Sequence, residues 1–355
     1  MKIGVITVHR AYNYGSVLQC YALQEYLKNL GHDVQIIDYR QRWTEAVYKV
    51  FSLYYVWYFI RQCDYRAVID YVRKYKMRHA NIKRQKEVFG DFQKEYNLTK
   101  QCRWRMPSGF DVYFIGSDQL WTHHCVGGED SFYLGDFCRA SNSKVIGYSI
   151  STSLYSLQKF GEKKLKKILN NFDCLSFREK SNAVVVEQMT GFKIPVTVDP
   201  TILVGSELWN TMINEEWSDR NYIAIYQARP VVGNENYLKE KALELSQKMN
   251  CDVVDLRLME YSVRDFISII KYAKCILTTS YHAVVFSVLF ETPCYAIKLN
   301  DGLDVRYVDL LKELGLEEEL VETDFTPVPL CVNFDGVRAR IKEYIKPSVE
   351  YINKI

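Results

Sequence analysis

Four short polar clusters follow strand-like apolar runs, and their residue types suit acid–base chemistry beside an anion. In TTSYHAVVFSVLFETPCYAI, Thr278 to Ile297, an apolar run leads into Ser280, Tyr281 and His282, and a helical pattern begins at Ala283. An imidazole at a helix N-terminus lies beside free backbone amides that attract anions, so His282 is placed to act as a general acid/base next to a phosphate. The bland alternative is a packed core histidine. Lys298 and Arg306, just past the following strand, are the cations near enough in sequence to reach an anion held there. In LSFREKSN, Leu175 to Asn182, Arg178 ends a short strand-like run; its fork fits a carboxylate or phosphate, or an ordinary ion pair with Glu179 or another acid.

The two other clusters lie earlier in the chain. In FIGSDQLW, Phe114 to Trp121, a buried run stops at Ser117, Asp118 and Gln119, with Trp121 beyond. These suit sugar hydroxyls and a sugar ring face, although Asp118 would serve equally as a helix cap. In TVHRAYNYGS, Thr7 to Ser16, His9, Arg10 and Asn13 line a turn, and Gly15 permits close backbone approach. The alternative is a turn that needs Asn and Gly for its backbone angles. Neither GxGxxG nor a Walker A loop is present, so nucleotide binding is not indicated. No His/Cys/Asp/Glu group has metal-ligand spacing, and His123 and His124 are adjacent; no metal or cofactor is expected.

The elements that must position these residues alternate strand and helix, the pattern of a parallel α/β sheet. KIGVITV, DVQIIDY, DVYFIGSD and KVIGYSIS read as strands in the first half, with a helix between the first two that stops at Gly31. YIAIYQA, CDVVDL, CILTTS and PCYAIKL repeat the pattern in the second half. The chain therefore reads as a first lobe over 1–215, a second over 216–335 and a helical tail over 336–355. Residues 41–105 interrupt the first lobe; without Gly until Gly90 and without Pro, they read as two or three long helices. Within them AVYKVFSLYYVWYFI is nearly all apolar, and Arg61 to Lys86 holds nine Lys/Arg against two Asp. Such a segment is either a helical subdomain packed on the sheet or an interfacial helix whose cationic flank rests on anionic lipid.

Composition sets the outer limits. The 355 residues exceed one comfortable core, and a formal charge of +3 is too small to imply nucleic acid. The ten cysteines are scattered with no C-x-x-C pair, which favours reduced thiols and a cytoplasmic protein. The start has no apolar signal-peptide region, and no apolar run reaches the roughly 18 residues of a membrane span.

Taken in order, N-Y-G-S-V-L-Q-C-Y-A-L-Q (from Asn13), F-I-G-S-D-Q-L-W, G-Y-S-I-S (from Gly147), S-F-R-E, T-V-D-P-T-I-L (from Thr197) with Trp209, and S-Y-H-A-V-V-F-S resemble the polysaccharide pyruvyl transferase family. The resemblance implies α/β architecture with two Rossmann-like lobes, GT-B-like, whose parallel sheets face a cleft. It implies phosphoenolpyruvate as donor substrate and a sugar or lipid-linked oligosaccharide as acceptor, joined as a cyclic ketal for a bacterial capsule or exopolysaccharide. By motif match Arg178 and His282 are the catalytic positions, converging on one anion pocket between the lobes, with Ser280, Lys298 and Arg306 completing the donor site. Arg10, Asn13, Gly15, Ser117, Asp118, Gln119 and Trp121 would face the acceptor. Many relatives have S-F-H-G where this chain has Ser280-Tyr281-His282-Ala283, and Ala in place of Gly is expected to change how closely that helix approaches its ligand. The rival expectations are a glycosyltransferase with a nucleotide-sugar donor and a non-catalytic member of an assembly complex. Peripheral contact with the inner membrane face through 46–86 is a further expectation.

Overall fold

Mostly apolar strands of two to seven residues build two parallel sheets in the computed structural model, which describes residues 1–258 and 260–355. Packing divides the chain into Met1–Ser176 and Phe177–Ile355. The division falls earlier than the 215/216 boundary expected from sequence, so residues 177–215 belong with the second unit.

In the first unit, strand β1 (Lys2–Ile6) leads to helix α1 (Tyr14–Asn29) and β2 (Asp33–Ile36). Asn13 starts α1 by accepting a hydrogen bond on its side chain from the Ser16 amide at 3.1 Å. Gly31, at φ +83°, turns the chain after the helix. An insert of four helices follows: α2 (Arg42–Val47), α3 (Leu53–Arg61), α4 (Tyr65–Arg73) and α5 (Tyr75–Gly90). They are shorter and more numerous than expected, because Ser52 and Asp64 accept from the amides of Tyr55 and Ala67 and so begin new helices. Trp43, Tyr55 and Tyr71 form a small aromatic core, with ring centroids 5.4 Å and 4.7 Å apart. The Arg78 guanidinium covers Tyr71 at 4.7 Å and donates to the Val47 carbonyl at 2.6 Å.

The unit continues through β3 (Val112–Ile115), α6 (His123–Val126), β4 (Lys144–Ile150), α7 (Leu154–Leu169) and β5 (Cys174–Phe177). Its sheet order is β2-β1-β3-β4-β5. The register runs Ile3 opposite Val112 and Val112 opposite Lys144, with every residue of β3 buried.

The second unit holds α8 (Lys180–Thr190), α9 (Pro200–Leu203), α10 (Gly205–Asn210), β6 (Tyr222–Tyr226), α11 (Tyr237–Met249), β7 (Asp252–Asp255) and α12 (Val263–Tyr272). It ends with β8 (Ile276–Thr278), α13 (Tyr281–Phe290), β9 (Cys294–Ile297), α14 (Val305–Glu313), β10 (Leu320–Val321) and α15 (Val337–Asn353). Strand β10 is too short to be read from sequence. The expected C-terminal tail is α15, tied in by a 2.8 Å hydrogen bond from the Val198 amide to Ser348 Oγ. Ile223, Ile225, Leu238, Leu245 and Leu277 fill one face of the sheet. Burying each contributes about 1.5–3 kcal/mol, which is how a strand as short as β8 stays in place.

The second sheet runs β10-β9-β8-β6-β7. Counted within each unit, both sheets have the order second-first-third-fourth-fifth. Such a sheet reverses its winding between its first and third strands, and ligands bind beyond the carboxyl ends there. The polar clusters after β1 and β3 flank the first of these points and the cluster after β8 flanks the second, whereas the Arg178 cluster follows β5, at the edge of the first sheet.

Candidate active site

Strand β8 ends in Thr278, and Ser280 caps α13 by accepting from the Ala283 amide at 3.5 Å. The helix therefore starts at Tyr281, two residues earlier than expected, and His282 lies in its first turn. Its Nε2 is 3.6 Å from Asp199 Oδ2, an ion-pair distance. The same oxygen pairs with Arg178 Nη2 at 2.6 Å. The imidazole and the guanidinium do come together, and they do so on a carboxylate.

Asp199 was not among the sequence candidates. It opens α9, where Pro200 fits the first helical position and the Thr201 amide and hydroxyl both donate to Oδ1, at 2.8 Å and 2.5 Å. That leaves Oδ2 for Arg178 and His282. The D-P-T sequence reads as a helix start, and this capping role masked the second oxygen. Arg178, Asp199 and His282 are respectively 5%, 0% and 7% exposed, so the triad sits in a low-dielectric setting. Burial opposes ionisation of Asp199, but the Arg178 charge, the His282 contact and the Thr201 hydroxyl outweigh it and hold the carboxyl well below the usual range. The Arg178 guanidinium also lies 5.0 Å over the Tyr281 ring. Of the two roles open to Arg178, the ion pair is present, and Asp199 is a partner.

Of the remaining donor-side candidates, Ser280 acts as a helix cap. Lys298 pairs with Glu322, and Arg306 donates through Nε to the Leu303 carbonyl at 3.1 Å. A cation missed from sequence stands at the same switch point. Arg229, after β6, is held by Asp301, by Asp304 at 2.6 Å and by the Thr279 carbonyl at 3.3 Å. An open hollow of about 670 Å³ lined by Gln227, Pro230, Glu235, Asn236 and Arg257 lies beyond β6 and β7.

In the first unit the two predicted loops are bonded to each other. Thr7 Oγ1 donates to the Ser117 carbonyl at 3.0 Å, and Ser16 Oγ donates to Asp118 Oδ2 at 2.6 Å. Several acceptor-side expectations are corrected here. Trp121 is 1% exposed, its Nε1 donates to the Tyr133 carbonyl at 2.9 Å and its ring packs near Phe160 and Phe172, so it offers no face to a sugar. Ser117 is enclosed, with its hydroxyl donating to the Ser149 carbonyl at 2.7 Å. Asn13 is the cap of α1, and Gly15 is buried inside that helix. Asp118 receives Ser16 and the Gln119 amide, and Gln119 Oε1 accepts from the Cys125 thiol.

Arg10 remains at a rim, but its fork is already engaged: Nε and Nη2 donate to Asp38 at 2.6 Å and 2.5 Å. His9 is buried and also meets Asp38, 3.1 Å from Nε2. Burial works against the Asp38 carboxylate, yet His9 and Arg10 hold it well below the usual range. Two adjoining hollows open beside this cluster. One of about 220 Å³ is lined by Thr7, His9, Arg10, Tyr39 and Arg40 among others. The next, of about 500 Å³, adds Tyr12, Tyr48, Lys49 and Gln93. Of the lining residues, Gln41, Thr44, Glu45, Tyr48 and Lys49 lie in the stretch expected to be helical insert, where sequence gives no sign of a site.

The sequence matches the polysaccharide pyruvyl transferase family over residues 13–301. The chain belongs to this family. Every segment of both switch points falls within the match except the first strand and the turn before Asn13. The family assignment makes it a transferase acting in polysaccharide biosynthesis on a sugar acceptor. No curated protein matches the chain. Similar solved structures include a UDP-N-acetylglucosamine 2-epimerase of Listeria monocytogenes, described as putative, at 12% identity and a TM-score of 0.48, covering 98% of this chain and 87% of that one. Another is the UDP-GlcNAc 2-epimerase of Methanocaldococcus jannaschii in complex with UDP-GlcNAc and UDP, at 14% identity and a TM-score of 0.48, covering 97% and 93%.

Proposed function

We propose that this pyruvyl transferase takes pyruvate from phosphoenolpyruvate and places it on two hydroxyls of a sugar as a cyclic ketal, releasing phosphate, during assembly of a bacterial capsule or exopolysaccharide in the cytoplasm. The observation that supports this reading most is the buried Arg178–Asp199–His282 triad at the first turn of α13. His282 delivers a proton to C3 of the enol, so that C2 becomes electrophilic and a sugar hydroxyl adds to it. Asp199 sits beside the imidazole as a fixed negative charge and holds Arg178 in place. The first hydroxyl's proton returns to His282, phosphate leaves with its bond electrons, and the second hydroxyl closes the ring as its proton passes to the departing phosphate. Arg178 is half neutralised by Asp199, so the donor's carboxylate and phosphate need a further cation; Arg229, Lys298 and Arg306 are the candidates. The hollow lined by Arg10, Tyr12, Tyr48 and Lys49 suits the acceptor, since aromatic rings and cations together bind sugars bearing acidic groups.

Phosphate release from phosphoenolpyruvate, measured across galactose-, mannose- and glucose-terminated acceptors with mass spectrometry of the product, tests the reading. Release with one acceptor and an added pyruvyl mass is the expected result. No release with any acceptor, together with thermal stabilisation by a nucleotide sugar and none by phosphoenolpyruvate, would replace it with glycosyl transfer.

A further inference from the structure

Helix α3 sets Tyr55, Tyr58 and Phe59, partly buried, against Trp43, and α4 buries Tyr71, yet each leaves a second apolar stripe in solvent. On α3 the stripe is Leu53, Trp57 and Ile60, 76%, 50% and 46% exposed. On α4 it is Tyr65, Ile69 and Val72, 61%, 50% and 56% exposed. Both follow the i, i+4, i+7 spacing that puts three side chains on one helix face. Tyr75 and Met77 extend the exposed apolar surface into α5 at 45% and 55%. Apolar side chains gathered on the exposed face of a helix in a water-soluble protein mark a docking site.

Charge identifies the occupant. From Arg61 to Lys76 five exposed cations, Arg61, Arg66, Arg73, Lys74 and Lys76, face two aspartates. The Arg61 guanidinium lies 5.3 Å over the Trp57 ring, so charge and apolar surface are presented together. No helix among the described residues is long and apolar enough to cross a membrane. Trp and Tyr beside Lys and Arg on short amphipathic helices match the headgroup zone of a bilayer with anionic lipid, where rings sit at the boundary and cations meet phosphates. We infer that α3, α4 and the start of α5 dock this protein onto an anionic lipid surface. The inference is independent of the transferase reading and adds a location to it. It also bears on the acceptor: Lys49, in the lining of the first unit's larger hollow, is two residues from the exposed Phe51.

Cosedimentation of the full chain with vesicles tests this, using phosphatidylcholine alone and phosphatidylcholine with about one third phosphatidylglycerol. Binding is expected to the anionic vesicles only, and to fall at least about tenfold between 0.1 and 0.5 M salt as the charges are screened. The double substitutions Leu53→Glu/Trp57→Glu and Ile69→Glu/Val72→Glu should each weaken it by about tenfold or more, as should Arg66→Glu/Arg73→Glu. Unchanged thermal melts would show that the variants fold, and unchanged turnover on a water-soluble acceptor would separate this result from any failure of the chemistry. Absence of binding to anionic vesicles overturns the inference, as does binding that the six substitutions leave intact. A concentration-dependent dimer that the same substitutions break, seen by light scattering without vesicle binding, would assign the face to a second copy of the chain and overturn it too.

Discussion

Asp199 carries two duties that pull in one direction. It starts α9 through one oxygen and holds Arg178 and His282 through the other, all in a site almost closed to solvent. Asp199→Asn would leave the buried guanidinium without its counter-charge, a loss of about 3–5 kcal/mol in urea unfolding. The pH dependence has a definite sign. A carboxyl whose folded pKa lies below its ordinary 3.8 contributes stability that is fully present above that value and is lost as pH falls through the folded pKa. Acid unfolding of the wild type should therefore steepen below pH ~4, and the Asn variant should lack that component. For the reaction, His282→Ala is expected to lower pyruvyl transfer by about 10²–10⁴-fold while phosphoenolpyruvate binding, followed by thermal shift, is largely kept. Turnover within a few-fold of wild type would remove the imidazole from the mechanism. His282 and Arg178 were visible as polar residues at strand ends. Their partner was not, because nothing local distinguishes a capping aspartate with a spare oxygen from one without.

Two elements depend on single positions whose effects are measurable. Gly116 closes β3 at φ +130°, and a Cβ there would stand 2.0 Å from the Tyr148 carbonyl oxygen on β4. Gly116→Ala should cost more than the about 1–3 kcal/mol of backbone strain alone and should displace Ser117 and Asp118 from the loop that binds Thr7 and Ser16. At the far edge of the second sheet, Glu319 is fully buried, accepts from the Cys294 amide at 2.9 Å through Oε1, and finds no partner for Oε2 among the described residues. Burial pushes its carboxyl up to about 8 from an ordinary 4.5. A raised carboxyl pKa stabilises the fold below 4.5, and that stability drains away as pH rises toward 8, by up to about 1.4 kcal/mol per pH unit. Glu319→Gln keeps the acceptor oxygen, so the variant should match the wild type near pH 5 and exceed it at pH 8 in equilibrium unfolding. The strands themselves were readable since a strand buried on both faces must be a continuous apolar run. The insert was misjudged in helix number, because its breaks come from the side-chain caps Ser52 and Asp64 inside an otherwise unbroken apolar and basic pattern.

Among the described residues none of the ten cysteines forms a disulfide. Cys63, Cys125, Cys138, Cys174 and Cys331 are exposed, while Cys20, Cys275 and Cys294 are buried. Burial pushes the Cys275 thiol up to about 12 and holds Cys20 higher still, so these thiolates do not form at ordinary pH. Thiol titration of the native protein should count about five fast groups and, in denaturant, all ten, with no change in melting temperature on adding reductant.

Period and run length were enough to announce two successive α/β sheets, and the family motifs marked the loops that flank their switch points, because each of these follows from local burial and turn chemistry. Folding brought together what lies far apart along the chain. It joined Arg178 and His282 through Asp199, enclosed Trp121 and Ser117 that had looked like sugar contacts, and left the stripes of α3 and α4 in solvent. Such outcomes depend on which side chains meet across elements, and a residue's own neighbours in sequence carry no record of that.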